Sequence, residues 1–340
     1  MGAMISRNDP ILIAGAGGFI GGWLVRDLHE KGYTNLRAID IKPLDEWYQE
    51  QPDVPSIVSD LRSLEACEEA VRDVKHVYNL ACDMGGMGFI EANRALCMIS
   101  VLINTHLLMA GKEQGVERHF YSSSACVYNV DLQRDPTVTA LREQDAYPAM
   151  PEDGYGWEKL FSERMCRNFY DDFGIETRVV RYHNVYGPHG TYDGGREKAP
   201  AAICRKVATA KLAGTDEIEI WGDGEQTRSF MYIDDCLEGS TRVMESEIRE
   251  PINVGSSELV SINQLVDMVE QIAGVRLKRQ YLLDAPKGVR GRNSDNTLIR
   301  SYLDWEPNTP LVEGLEKTYA WIYDELTSSS PSVHRPVATG

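Results

Sequence analysis

Tyr155 and Lys159 stand four residues apart in the run Tyr155-Gly156-Trp157-Glu158-Lys159, a spacing that puts both side chains on one face of a helix. An ammonium beside a phenol favours the phenolate, so the pair predicts a lowered tyrosine pKa. Such a base can take a hydroxyl proton while hydride leaves the same carbon. Ser124 closes the run Tyr121-Ser122-Ser123-Ser124 and is placed to share that hydroxyl. The segment Gly15-Ala16-Gly17-Gly18-Phe19-Ile20-Gly21 supplies the means of holding a hydride acceptor. Its glycines suit a tight turn and a close backbone approach to a pyrophosphate, and the amides of the helix that follows face the phosphates. Asp40 ends the next apolar run about 20 residues on, where a carboxylate accepts bonds from a ribose diol and repels a 2′-phosphate. The cofactor expected is therefore NAD rather than NADP. Asp60 and Leu61 are placed to contact its adenine.

These groups need a scaffold that brings strand ends together. Ile11–Ala14 is an apolar run ending in glycines and reads as a buried parallel strand, followed by a helix from Phe19 to Lys31. Further strands are expected at 36–41, 74–81, 119–124 and 178–183, each preceded by a helix-like stretch. Strands alternating with helices give βαβ units with right-handed crossovers. The fold class expected is α/β, a doubly wound parallel Rossmann sheet with a smaller C-terminal α/β substrate-binding lobe. The boundaries expected are 10–186 for the NAD-binding domain, with returning segments near 229–256, 187–326 for the lobe, and a disordered tail at 327–340. A helix at 200–213, strands at 217–221 and 252–255, and a helix at 261–274 belong to the second part. Asp234-Asp235-Cys236 reads as a helix start with a capping carboxylate rather than a metal cluster.

Composition narrows the function classes. The chain has 340 residues, 42% of them hydrophobic, and a net charge of −17, which speaks against a broad nucleic-acid-binding face but allows anionic metabolites in a cleft with focused cations. The seven cysteines are scattered without a C-x-x-C pair, pointing to reduced thiols in a cytoplasmic compartment and to no zinc site. No signal peptide and no membrane-spanning apolar run is expected. Met1–Met4 reads as vector-derived.

The glycine loop, Asp40, the serine strand end and Tyr155/Lys159 resemble the extended short-chain dehydrogenase/reductase family. Within it, the runs Cys82–Ile90, Ser123–Cys126, His183–Pro188, Gly194–Ala202, Trp221–Phe230 and Gly288–Asn296 resemble the GDP-mannose 3,5-epimerase branch. That resemblance spans about residues 10–325 and departs only slightly, at Ala14, where threonine is frequent. It implies NAD-dependent epimerisation of GDP-mannose at C3 and C5, towards GDP-L-galactose and GDP-L-gulose, through a transient 4-keto sugar. Oxidation at C4 would make both neighbouring carbon-bound protons acidic, and inversion then needs an acid and a base on opposite faces. The resemblance assigns these to Cys126, whose pKa nearby cations are expected to lower, and Lys198. It implies cofactor contacts from Gly15, Gly18, Phe19, Ile20, Gly21, Asp40, Asp60, Leu61, Tyr155 and Lys159. Substrate contacts are implied for Gly86, Met87, Gly88, Ser124, Asn184, Glu197, Lys198, Ala199, Lys206, Gln226, Arg228 and Arg290, and the branch is commonly dimeric. Related dehydratases carry an Asp-Glu pair where Ala125-Cys126 stands, so no carboxylic acid is expected to be placed to protonate a leaving hydroxyl. Alternatives are a UDP- or CDP-sugar 4- or 2-epimerase, and a catalytically silent NAD(H)-binding protein.

Overall fold

The structure, a computed structural model, describes residues 4–286 and 288–328. The elements run β1 (Ile11–Ala14), α1 (Phe19–Glu30), β2 (Leu36–Asp40), β3 (Ser56–Val58), α2 (Leu64–Ala70), β4 (His76–Asn79), α3 (Met87–Ala92), α4 (Arg94–Ile99), α5 (Val101–Gln114) and β5 (Arg118–Ser124). They continue with α6 (Tyr155–Phe173), β6 (Glu176–Tyr182), β7 (Val185–Tyr186), α7 (Ala199–Ala213), β8 (Glu217–Trp221), β9 (Thr227–Ser229), β10 (Met231–Tyr232) and α8 (Ile233–Glu245). Last come β11 (Ile252–Val254), β12 (Leu259–Ser261), α9 (Ile262–Ala273), β13 (Lys278–Leu282), β14 (Gly291–Arg292), α10 (Thr297–Leu303) and α11 (Leu311–Thr327).

Seven strands form one sheet in the order β11-β6-β5-β4-β1-β2-β3, and every pairing in it is parallel. β1 is fully buried on both faces, as a parallel strand covered by helices must be. The chain order reverses between β1 and β4, and a crevice opens there outside the strand carboxyl ends. β3 was not among the expected strands. Its three residues are half-buried or exposed, so no hydrophobic alternation marks them. Three small sheets, β10-β7, β12-β9-β14 and β13-β8, lie outside the main sheet.

Two expectations need correction. Arg94–Gln114 runs as 21 helical residues whose length and composition would suffice to cross a membrane. Here α5 packs against α2 and α6, so this apolarity serves the packing of the sheet's outer layer. Asp234 and Asp235 do lie in the first turn of α8, but the N-cap is Tyr232 and no side chain caps it. The Asp235 carboxylate instead accepts the Thr309 amide at 2.9 Å. The last helix includes Thr327; residues 1–3 and the expected tail beyond Ser328 lie outside the described residues.

Candidate active site

The glycine loop is built by the absence of side chains. Gly15 has φ +88°, and a Cβ there would lie 2.8 Å from the Ala81 nitrogen. A Cβ on Gly21 would lie 2.1 Å from the Gly15 carbonyl oxygen, so only glycine lets α1 pack this closely on the turn. The first i→i−4 bond of α1 is Gly22 to Gly18 at 2.9 Å. The amides of Phe19, Ile20 and Gly21 precede it and point out of the helix end, which suits a pyrophosphate. Asp40 stands at the end of β2, where its Oδ1 accepts the Lys42 amide at 3.0 Å and leaves Oδ2 for a ribose. Asp60 is paired with Arg62 at 2.7 Å, and Leu61 is buried.

Beyond the opposite side of the switch point, β5 ends at Ser124 and turns at once. The Ser124 Oγ accepts the Cys126 amide at 3.2 Å and keeps its own hydroxyl proton to donate. That bond fixes the turn that aims Cys126. The Cys126 carbonyl in turn accepts the Glu152 amide at 3.0 Å. A Cβ on Gly156 would lie 2.4 Å from that same carbonyl oxygen, so Gly156 lets the first turn of α6 press against Cys126. Cys126 and Tyr155 thereby share one buried apolar cluster with Ile90 and Cys97, edged by Cys82, Met84 and Phe89.

The electrostatics overturn two expectations. Tyr155 was expected to have a lowered pKa. Instead burial, then the neighbouring Cys82, Cys126 and Glu158, push it well above the ordinary phenol value. The Lys159 ammonium stands 5.4 Å from the Tyr155 ring centre and 3.6 Å from the Glu158 carboxylate. Against the burial that opposes it, Cys82 and Glu158 hold its pKa above the ordinary value. Cys126 was expected to be lowered by cations. Burial and then Glu152 push it up to about 11, with Arg292 opposing. At neutral pH, phenol and thiol are both protonated. Lys198, half-buried at the N-cap of α7, moves the other way, because desolvation lowers its pKa with Cys126, Cys82 and Cys236 opposing.

The glycine-methionine loop joins the Lys198 segment. Gly86 N donates to the Arg196 carbonyl at 3.0 Å, and a Cβ on Gly86 would lie 2.3 Å from the Glu197 carbonyl oxygen. Met87 lies against Gly288, and Gly88 against the Trp221 ring. Glu197 accepts the Gly195 amide at 2.7 Å, and Ala199 opens α7. Asn184, at φ +47°, donates to the Ser229 carbonyl at 2.9 Å. Lys206 donates to the Glu219 carbonyl at 2.9 Å, Gln226 to the Trp221 carbonyl at 2.9 Å, and Arg290 pairs with Asp223 at 2.9 Å. Arg228 donates to the Val289 carbonyl at 2.5 Å. In the register of β9 and β14 it faces Arg292, and burial with that second guanidinium lowers it to about 10.

Glu152 and Gln133 were missed in the sequence, as was the place of Arg292, an arginine of the Gly288–Asn296 run, beside Cys126. Arg292 Nη1 lies 3.6 Å from the Cys126 sulfur. Its Nη2 bonds Glu152 at 2.5 Å, and its Nε bonds Gln133 Oε1 at 2.7 Å. A carboxylate, Glu152, therefore stands beside Cys126, where the spacing of the sequence did not place one. Burial alone would raise Glu152, but Arg292, the Cys126 contact and Arg228 more than offset this and hold it ionised, so it is no proton donor. Glu152 precedes Tyr155 by three residues, but nothing in its spacing points to Arg292, 140 positions away.

The model of the NAD dependent epimerase/dehydratase family matches residues 11–255. The chain belongs to this family. As a family member it is 46% identical over 322 residues to the GDP-mannose 3,5-epimerase of Arabidopsis thaliana, covering 94% of this chain and 84% of that protein. Its backbone is similar to a UDP-glucose 4-epimerase of Thermotoga maritima solved with UDP-glucose, with a TM-score of 0.82 at 25% identity, covering 93% of this chain and 99% of that one. It is similar also to a UDP-glucuronic acid 4-epimerase of Bacillus cereus solved with UDP-glucuronic acid and NAD, with a TM-score of 0.79 at 26% identity, covering 93% and 99%. Among the described residues no group of histidine, cysteine and carboxylate side chains has the arrangement of a metal site.

Proposed function

We propose that this epimerase/dehydratase family member binds NAD and epimerises GDP-mannose at C3 and C5, through a transient ketone at C4, towards GDP-L-galactose and GDP-L-gulose. The observation that carries the reading is the meeting of Cys126 and Tyr155 in one buried cluster with Lys198 in electrostatic reach of Cys126. A plain 4-epimerase has no use for a thiol and an amine beside the sugar. The relative named for GDP-mannose supports the substrate.

NAD, when bound, supplies the hydride acceptor and a positive charge that favours the Tyr155 phenolate. Ser124 donates its free proton to the sugar oxygen and orients it towards Tyr155. Lys159 adds a fixed positive charge beneath the phenol. A ketone at C4 makes the protons on C3 and C5 acidic. The Lys198 amine, eased towards neutrality by burial, accepts one of them, and the protonated Cys126 thiol returns one to the other face. Arg228 on β9 and Arg290 in the loop before β14 can offer a diphosphate guanidinium forks, with Asn184, Lys206 and Gln226 around them. The Gly86-Met87-Gly88 loop closes over the sugar, and Glu197 and Ala199 frame Lys198.

The chain acts as a homodimer in this reading. Met98, Ile99, Leu102, Met109, Trp157, Phe161 and Phe173 are exposed on α4, α5 and α6, an apolar face that a second copy would cover. The seven unpaired cysteines fit a reducing cytoplasmic setting.

Incubation with GDP-mannose and NAD in deuterated water tests the function. The expected result is deuterium at C3 and C5 and none at C4, read by nuclear magnetic resonance. Inversion at C4 without solvent deuterium would instead identify a 4-epimerase.

A further inference from the structure

The mechanism gives Glu152 no part, yet it is buried within the site. Only 8% of it is exposed. Its amide holds the Cys126 carbonyl at 3.0 Å, and its Oε1 holds Arg292 Nη2 at 2.5 Å. The other nitrogen of that guanidinium, Nη1, lies 3.6 Å from the Cys126 sulfur. Gln133 Oε1 fixes the guanidinium from a third side at 2.7 Å. The second carboxylate oxygen, Oε2, is buried without a hydrogen-bond partner. A buried carboxylate oxygen left unpaired is costly, and such atoms in native proteins usually have a task.

We infer that Glu152 is a positioning residue for Cys126: by gripping Arg292 and the Cys126 backbone together, it sets where the sulfur sits and keeps it a thiol. The electrostatic logic follows from the surroundings. Cys126 is faced by three cations, Arg292, Lys198 and Arg228, and by one carboxylate, Glu152; Tyr155, Cys82 and Cys97 are the remaining titratable groups of the cluster. With Glu152 ionised, the charge of Arg292 is compensated and the sulfur keeps its proton. Without it, Arg292 would face the sulfur uncompensated and favour the thiolate. The proton that Cys126 delivers is its own. Glu152 holds none at neutral pH and transfers none.

The inference rests on the proposed acid role of Cys126, but its first test needs no substrate. Alkylation of Cys126 by iodoacetamide is followed on its peptide by mass spectrometry from pH 6 to 10, in the intact chain. Glu152→Gln should alkylate about tenfold faster than wild type at pH 7.5, the change expected of a midpoint about one unit lower, whereas Glu152→Asp, which keeps the charge, should stay near wild type. Superimposable profiles for wild type and Glu152→Gln would overturn the inference. If Glu152→Gln does not fold, Arg292→Gln takes its place. It removes the cation nearest the sulfur and leaves the carboxylate's charge less compensated, so it should slow alkylation at pH 7.5, and an unchanged rate would overturn the inference.

A second readout separates this idea from the function itself. In Glu152→Gln, solvent deuterium incorporation from GDP-mannose should lose rate through kcat with KM held, and its pH optimum should move down. If wild type incorporates no deuterium, the proposed function fails while the alkylation result still decides the role of Glu152.

Discussion

The glycine-loop end and the Cys126 end of this cleft are made in opposite ways. The first is backbone: Gly15 and Gly21 leave room that any Cβ would fill, and the helix end beyond them offers amides. The second is side chain: Cys126, Glu152, Lys198, Arg228 and Arg292 come from five separate segments, with Cys126, Glu152 and Arg292 buried and Lys198 and Arg228 half-buried beside them. A backbone cradle is rigid and tolerates one residue type. A buried charge cluster can be retuned by changing one partner, because in a low-dielectric interior each charge sets the protonation of its neighbours.

If the two ends are separable, removing the thiol should stop one step and spare the other. Cys126→Ser is expected to lower deuterium entry at C3 and C5 by about 10³-fold, within the range of a lost general acid. NADH absorbance on adding GDP-mannose should persist. Loss of both signals together would break the comparison. Gly21→Ala should do the reverse, weakening NAD by about a hundredfold and lowering every step alike. Calorimetry with NAD checks this, and unchanged affinity would mean that the cradle is less rigid than drawn.

Acid should reach both ends through the sheet beneath them. His119 and His183 are buried and held at about 3, by desolvation in both cases. Their ordinary value is 6.5, so the neutral folded state gains nothing from protonation while the unfolded chain does. The stability they contribute is complete above about pH 6.5 and is lost as pH falls towards 3. The loss is about 1.4 kcal/mol per pH unit for each histidine. Urea unfolding at pH 7, 6 and 5 should show it, and a flat profile would contradict the burial argument. The smallest expected effect is that of Asp40→Ala, about tenfold in NAD affinity with unchanged deuterium exchange at saturating NAD.

Much of the fold was legible beforehand because its signals are local. Glu217–Trp221 is a strand with the expected bounds, and the helices after Gly18 and Ser261 start where the glycine turn and the serine cap place them. β3 escaped notice because a short, half-exposed edge strand carries no pattern. The long helix Arg94–Gln114 was undervalued because apolar residues that cover a sheet are spread between polar ones. At the site, Tyr155, Lys159 and Ser124 announce themselves by spacing. Glu152 and Arg292 do not, since the partners of a buried ion pair need be neighbours only in space.

The sequence by itself determined the residue types: glycines where the chain turns tightly between the first strand and its helix, a tyrosine and lysine one helical turn apart, a cysteine after the strand-end serine. Tertiary structure alone decided how those groups are charged. Burial raises Tyr155 and Cys126 and lowers Lys198, and Arg292 meets Glu152 across 140 positions. Protonation depends on solvent exclusion and on charges a few ångströms away, and neither distance nor exclusion exists until the chain has folded.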